Sequence, residues 1–258
     1  MKSKRILSII QAFAIVLLLM GGFLVSFPYI NNFIFGIQQN KLIDDYVNEF
    51  SVVTEQTKSK EPKINNNNKD KPTERYIDLK RLKKDVMAYN REIYENGQST
   101  INGTLNYATQ IFDLTDYGFE NNVYGYIDIP AVNIKMALLL GASEYNMSQG
   151  AVQLTRTSVP LGGKNTNSVI AGHCGYWGQN MFRYLSNLNN GDVVKIVTPF
   201  NTLEYSVTDK IIIEPEEFGK LKIQEGKDMI TLFTCYPYPT NKQRCVLYCE
   251  RVKQNENF

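Results

Sequence analysis

Three side chains able to do acyl-transfer chemistry stand where apolar segments meet loops. Cys235 ends Met229-Ile230-Thr231-Leu232-Phe233-Thr234-Cys235, and Tyr236-Pro237-Tyr238-Pro239 follows it. His173, the only histidine, ends Val169-Ile170-Ala171-Gly172-His173, and Arg244 opens the apolar stretch 244–252. A thiolate is a strong nucleophile and needs a nearby cation or base. Imidazole gains and loses a proton near neutral pH. A fixed guanidinium can donate hydrogen bonds to a developing oxyanion. Each residue also has a plainer reading. A cysteine after a strand is often a small buried hydrophobe, a lone histidine is often structural, and an arginine beside a strand is often solvated. Strand ends and the loops after them are where rigid scaffolds present functional groups. Arg244 lies nine residues after Cys235, a step that suits a hairpin with both at one end.

The other cysteines narrow the choices. Cys245 and Cys249 are four residues apart, roughly 13 Å along a strand, and a disulfide needs Cα atoms within about 7 Å. They are expected to stay unpaired and to face the core, opposite Arg244. Positions 174, 235, 245 and 249 match no zinc spacing, so no metal is expected there. Cys174 adjoins His173, and a bridge from it to Cys235 would silence the nucleophile, a redox expectation that activity indifferent to reductant would remove.

Short strands must position these groups. Residues 123–129, 134–140, 168–171, 193–197, 203–214, 230–234 and 244–252 read as strands, with short helices over 144–149 and 180–185 and a turn at Asn189-Asn190-Gly191-Asp192. Many short strands with few helices predict a mainly β fold, a barrel or sandwich. Upstream, residues 76–96 repeat Ile77, Leu79, Leu82, Val86, Tyr89 and Ile93 at helical steps, and 31–57 do so through Ile34, Ile37, Leu42, Tyr46 and Phe50. Residues 58–74 are Lys, Asn, Pro and Glu, a composition that reads as a linker. The expected organisation is therefore 1–30, 31–75, 76–122 and 123–258.

Lys2, Lys4 and Arg5 precede an apolar run over residues 6–27, long enough to span a bilayer and longer than an ordinary signal-peptide core. The positive-inside rule puts the basic flank in the cytoplasm and the remainder outside. No second apolar stretch of that length follows. A net charge of +2 and the lack of a phosphate loop or helix-turn-helix pattern give no sign of nucleic-acid binding.

Thr231-Leu232-Phe233-Thr234-Cys235, Ala171-Gly172-His173 and Arg244 resemble the signature of the sortases, surface transpeptidases of Gram-positive bacteria. Residues 125–130 (Gly-Tyr-Ile-Asp-Ile-Pro) look like the family's first barrel strand, and residues 150–163 like the segment leading to the histidine. The resemblance implies a closed eight-stranded β-barrel with short helices. It also implies cleavage of a Leu-Pro-x-Thr-Gly (LPXTG) type signal between Thr and Gly by Cys235, with His173 and Arg244 in support. Pro237, Tyr238, Asn241 and Ala88-Tyr89-Asn90 look like class C sortases, which join pilin subunits through a lysine amine. Thr234, Tyr238 and Asn241 are the expected substrate or oxyanion residues. Phe112, Asp116, Tyr117 and Phe119 are the expected lid, although the class's Asp-Pro-aromatic anchor is not reproduced there. Expected partners are LPXTG-type surface or pilin proteins, an amine acceptor (a pilin lysine or a peptidoglycan precursor) and the membrane. The alternatives are a sortase anchoring proteins to wall peptidoglycan, a purely hydrolytic cysteine peptidase, and a non-catalytic β-barrel module.

Overall fold

The computed structural model describes residues 2–59, 76–98 and 112–252, with side chains placed from residue 6 to residue 50 of the first segment. Most of the 58–74 linker and of the 97–120 loop expected from sequence lies outside the described residues. Eight strands close into a barrel: β1 (Val123–Ile129), β2 (Ile134–Leu140), β3 (Ala151–Gln153), β4 (Thr166–Ala171), β5 (Val193–Val197), β6 (Thr202–Ile213), β7 (Asp228–Tyr236) and β8 (Gln243–Arg251). Their order around it is β1-β2-β3-β4-β7-β8-β6-β5. The β2–β3 and β4–β7 pairs are parallel and the others antiparallel. Closure leaves no unpaired sheet edge.

Alternation along the strands divides the apolar side chains between two clusters. Ile127, Leu138, Ile170, Leu232, Cys245, Leu247 and Cys249 belong to one. Val152, Val169, Ala171, Phe233 and Val246 belong to the other, on the opposite faces of the same strands. The second cluster is covered partly by helix α1 (Lys2–Ser59), which runs unbroken through the membrane-length stretch and the expected juxtamembrane helix. Phe35, Gln39, Ile43 and Tyr46 are its buried stripe, at steps of four, four and three residues. Gln39 is hydrogen-bonded on both ends of its amide: Nε2 donates to the Gln149 carbonyl at 2.6 Å and Oε1 accepts from the Ala137 N–H at 2.9 Å. A buried amide satisfied at both ends fixes the helix's axial register on the barrel.

Helix α2 (Leu79–Glu95) is capped by Asp78, whose side chain accepts from the Arg81 N–H. It braces the approach to β4. Asn90 donates to the Val159 carbonyl at 2.9 Å and accepts from the Val159 N–H at 2.7 Å, while the Tyr89 hydroxyl accepts from the Arg156 N–H at 3.0 Å. Helix α3 (Glu144–Gln149) agrees with expectation and starts at a Ser143 cap. The short helix expected over 180–185 does not form. Turns occupy 181–184 and a 3-10 turn follows at Leu185–Asn187, because buried Phe182 and Leu185 are drawn into the core individually. Strand β3, only three residues long, is too short to leave an alternation pattern.

Candidate active site

The sulfur, imidazole and guanidinium positions are brought to one end of three adjacent strands. In the β7–β8 pair Cys235 lies directly opposite Arg244, and directly opposed residues project to the same face of a sheet. Cys235 shares its parity with Phe233, and Arg244 with Val246, so both emerge on the outer side of the barrel wall. Strand β4 runs parallel to β7 with Ala171 beside Phe233. The ladder continues one bond further, Gly172 N–H donating to the Phe233 carbonyl at 3.3 Å. Strand β4 ends at Ala171, and His173 follows two residues on, just past the Gly172 contact with β7.

Thr234 has the opposite parity and is buried, its hydroxyl donating to the Gly172 carbonyl at 2.8 Å. That bond locks the two strand ends together. Gly172 is required by a close approach. A Cβ there would fall 2.8 Å from the Phe182 ring, and Phe182 is fully buried. The Phe182 N–H in turn donates to the His173 carbonyl at 3.0 Å. Gly172→Ala should overpack this spot, costing about 1–3 kcal/mol and displacing the His173 backbone. A lowered melting temperature, with reduced activity in the fraction that remains folded, is the expected result; an unchanged melt and unchanged activity would refute it.

His173 is partly buried and stacks on Tyr176, with centroids 4.8 Å apart and planes 10° from parallel. Burial holds its pKa below the usual imidazole value, which favours the neutral ring at neutral pH. The Arg244 guanidinium is tethered through Nη1, which donates to the Asn241 carbonyl at 3.0 Å and the Gln243 carbonyl at 2.9 Å. Asn241 adopts φ +55° and donates its N–H to the Pro237 carbonyl at 2.8 Å. Its contribution is thus to shape the turn that holds Arg244.

Cys235 is half-buried and opens on a cavity of about 290 Å³ lined also by Cys174, Arg183, Thr234, Tyr236 and Tyr238. The Arg183 guanidinium lies 3.8 Å from the centroid of the Tyr238 ring, a cation–π contact. His173 and Arg244 lie outside the lining of this cavity. All four cysteines are free thiols. Burial, then the neighbouring Cys235, pushes the Cys174 thiol pKa up. Arg183 had no signal in the sequence, because an isolated arginine acquires its partner only through the fold. The same holds for Tyr176.

The residues expected to form a lid pack against the N-terminal helices. Asp113 caps a 3-10 turn at Leu114–Tyr117 that contains Asp116. The Tyr117 hydroxyl donates to Asp85 at 2.9 Å and its ring lies under Arg81. Phe112 packs edge-on to Tyr89, and buried Phe119 packs edge-on to Phe50. These contacts hold the segment to α1 and α2.

A sortase domain model matches residues 127–252. Among solved structures, Clostridium perfringens sortase C with the C-terminal cell wall sorting motif is 31% identical, with a TM-score of 0.62 over 83% of this chain and 99% of that one. Sortase C1 of GBS pilus island 1 is 26% identical, with a TM-score of 0.63 over 69% of this chain and 91% of that one. A curated relative, sortase A of Bacillus anthracis, is 30% identical over 128 residues, 50% of this chain and 59% of its own length. The chain spans less than two thirds of that curated relative. The chain belongs to the sortase family, a family of cysteine transpeptidases, and its structural neighbours are class C sortases.

Proposed function

We propose that this protein is a membrane-anchored sortase that cleaves an LPXTG-type sorting signal between Thr and Gly and joins the acyl product to an amine. The observation that carries this reading is the opposition of Cys235 and Arg244 on β7 and β8, with His173 at the end of the parallel neighbour β4. In the first step the neutral imidazole of His173 takes the thiol proton of Cys235. The sulfur attacks the threonine carbonyl carbon, and Arg244 donates hydrogen bonds to the oxygen as it becomes negative. The C–N bond then breaks, and His173 returns its proton to the departing glycine amine, leaving a thioacyl enzyme. An incoming amine attacks that carbonyl, His173 accepts its proton, and the thiolate leaves and is reprotonated. These steps use no cofactor.

The class C neighbours support a pilin lysine as the amine, giving pilus polymerisation. One observation favours the alternative, attachment to peptidoglycan amines. Phe112, Tyr117 and Phe119 already have partners on α1 and α2, which supports a site without a class C type lid. As for location, α1 holds one stretch long and apolar enough to cross a membrane. Basic residues at Lys2, Lys4 and Arg5 support a cytoplasmic N-terminus and an extracellular barrel.

The test is product analysis of an LPXTG-type peptide incubated with the protein, alone, with a lysine-bearing pilin peptide, and with an oligoglycine amine. Ligated product with either amine is expected. Hydrolysis alone under all three conditions would favour the plain peptidase, and neither product would end the enzymatic reading.

A further inference from the structure

The helix expected to carry the chain out of the membrane does not part from the barrel at its exit. At about 1.5 Å per residue, residues 6–27 extend roughly 33 Å, close to the ~30 Å of a bilayer's hydrocarbon core. The next turn of α1 grips the loop that follows His173. Asn31 Nδ2 donates to the Trp177 carbonyl at 2.8 Å, and the Asn180 N–H donates to Asn32 Oδ1 at 2.9 Å. Between them Gly178, at φ +88°, lies against the helix, where a Cβ would come within 2.7 Å of Pro28 Cα. The loop is closed by reciprocal backbone bonds between Tyr176 and Gln179, at 2.9 and 2.8 Å. Its height along α1 is thereby set at Pro28–Asn32, just beyond the end of the apolar run.

The chemistry of the loop suits that height. Trp177 is 72% exposed, and Tyr29 and Phe33 on the neighbouring turns of α1 are 75% and 70% exposed. Indole and phenol rings favour the membrane–water interface, where an apolar ring and a polar tip are both accommodated. No Asp, Glu, Lys or Arg occurs from residue 6 to residue 40, nor from His173 to Phe182, so contact with lipid would desolvate no charge. An indole beside a bilayer-length helix on an uncharged loop therefore has a partner implied by its position.

We propose that the loop from Tyr176 to Gln179 is a membrane-contacting surface, with the Trp177 side chain seated in the lipid interface beside the Pro28 turn of α1. The proposal rests on reading residues 6–27 as membrane-spanning. Since Tyr176 stacks on the His173 imidazole, the lipid surface becomes a boundary of the candidate active site.

Trp177 is the only tryptophan in the chain, so its emission can be read without a label. The full chain is reconstituted in phosphatidylcholine–phosphatidylglycerol vesicles, and flotation reports insertion of α1. Matched vesicles carry bromine on the acyl chains, either near the carbonyl end or near the methyl end. Expected are co-flotation, a blue shift of the emission, and stronger loss of emission with bromine near the carbonyl end. Flotation with emission indifferent to bromine and quenched by aqueous iodide would overturn the proposal while leaving the anchor in place. An emission shift seen only on adding an LPXTG-type peptide would overturn it in favour of substrate contact. Failure to float would remove the anchor reading and the proposal with it.

Discussion

Cys235→Ala should abolish thioacyl formation and peptide joining while leaving the barrel folded. Loss of the covalent nucleophile in an acyl-transfer enzyme lowers turnover on the order of 10⁶-fold, because no remaining group can form the intermediate. Stability should hardly change. Cys235 is half-buried at a strand end and belongs to neither apolar cluster, so replacing its sulfur with hydrogen creates no sealed core cavity. β4 and β7 are joined by their backbone ladder, and the bonds at their ends come from Thr234 and the Gly172 N–H. Mass spectrometry of the peptide-treated protein and product chromatography read the first part, and a thermal melt reads the second. Cys174→Ala is the matched control. That thiol lines the same cavity, yet its burial disfavours the thiolate, so Cys174→Ala should retain activity. Full joining by Cys235→Ala, or its loss in Cys174→Ala with an intact fold, would reassign the nucleophile.

Arg244→Ala should lower kcat by about 10²–10³-fold, the effect of removing one oxyanion donor, roughly 2.7–4 kcal/mol. The geometry argues for an effect on kcat more than on KM. Nη1 is held by the Asn241 and Gln243 carbonyls, which pre-orients the guanidinium at the strand end opposite Cys235. A donor aimed where charge develops stabilises the transition state more than the bound substrate. Arg244→Lys keeps the charge but loses the planar fork and its double tether, and should recover only part of the rate. Steady-state kinetics on an LPXTG-type peptide separates the cases. A large rise in KM with kcat unchanged would make Arg244 a substrate-binding residue instead.

Much of this arrangement was legible before any coordinates. Cys245 and Cys249 were expected to face away from Arg244, because residues one and five positions apart on a strand lie on the other face; both are fully buried and unpaired. The strand-end placement of Cys235, His173 and Arg244 followed from where apolar runs stop. The helix over 180–185 was misread because two apolar residues three apart imitate a helical step, whereas Phe182 and Leu185 reach the core from turns. The contacts that Phe112, Tyr117 and Phe119 make with α1 and α2 were not legible, because their partners are distant in sequence and no local pattern reports them.

By itself, then, the amino-acid order determined the seven longer strands, which face of each is apolar, and which side chains stand at their ends, since these depend on a two-residue period and on neighbours along the chain; the three-residue β3 left no such pattern. Tertiary structure alone decided that β4 lies parallel beside β7, joining the strand ends that precede His173 and Cys235, as the Thr234–Gly172 bond across 62 residues records. It also decided that Asn31 and Asn32 hold the histidine loop, across 146 and 148 residues. Such pairings are selected by closing the barrel and burying one helix stripe, and the free energy that selects them is shared among many contacts rather than carried by any one stretch of chain.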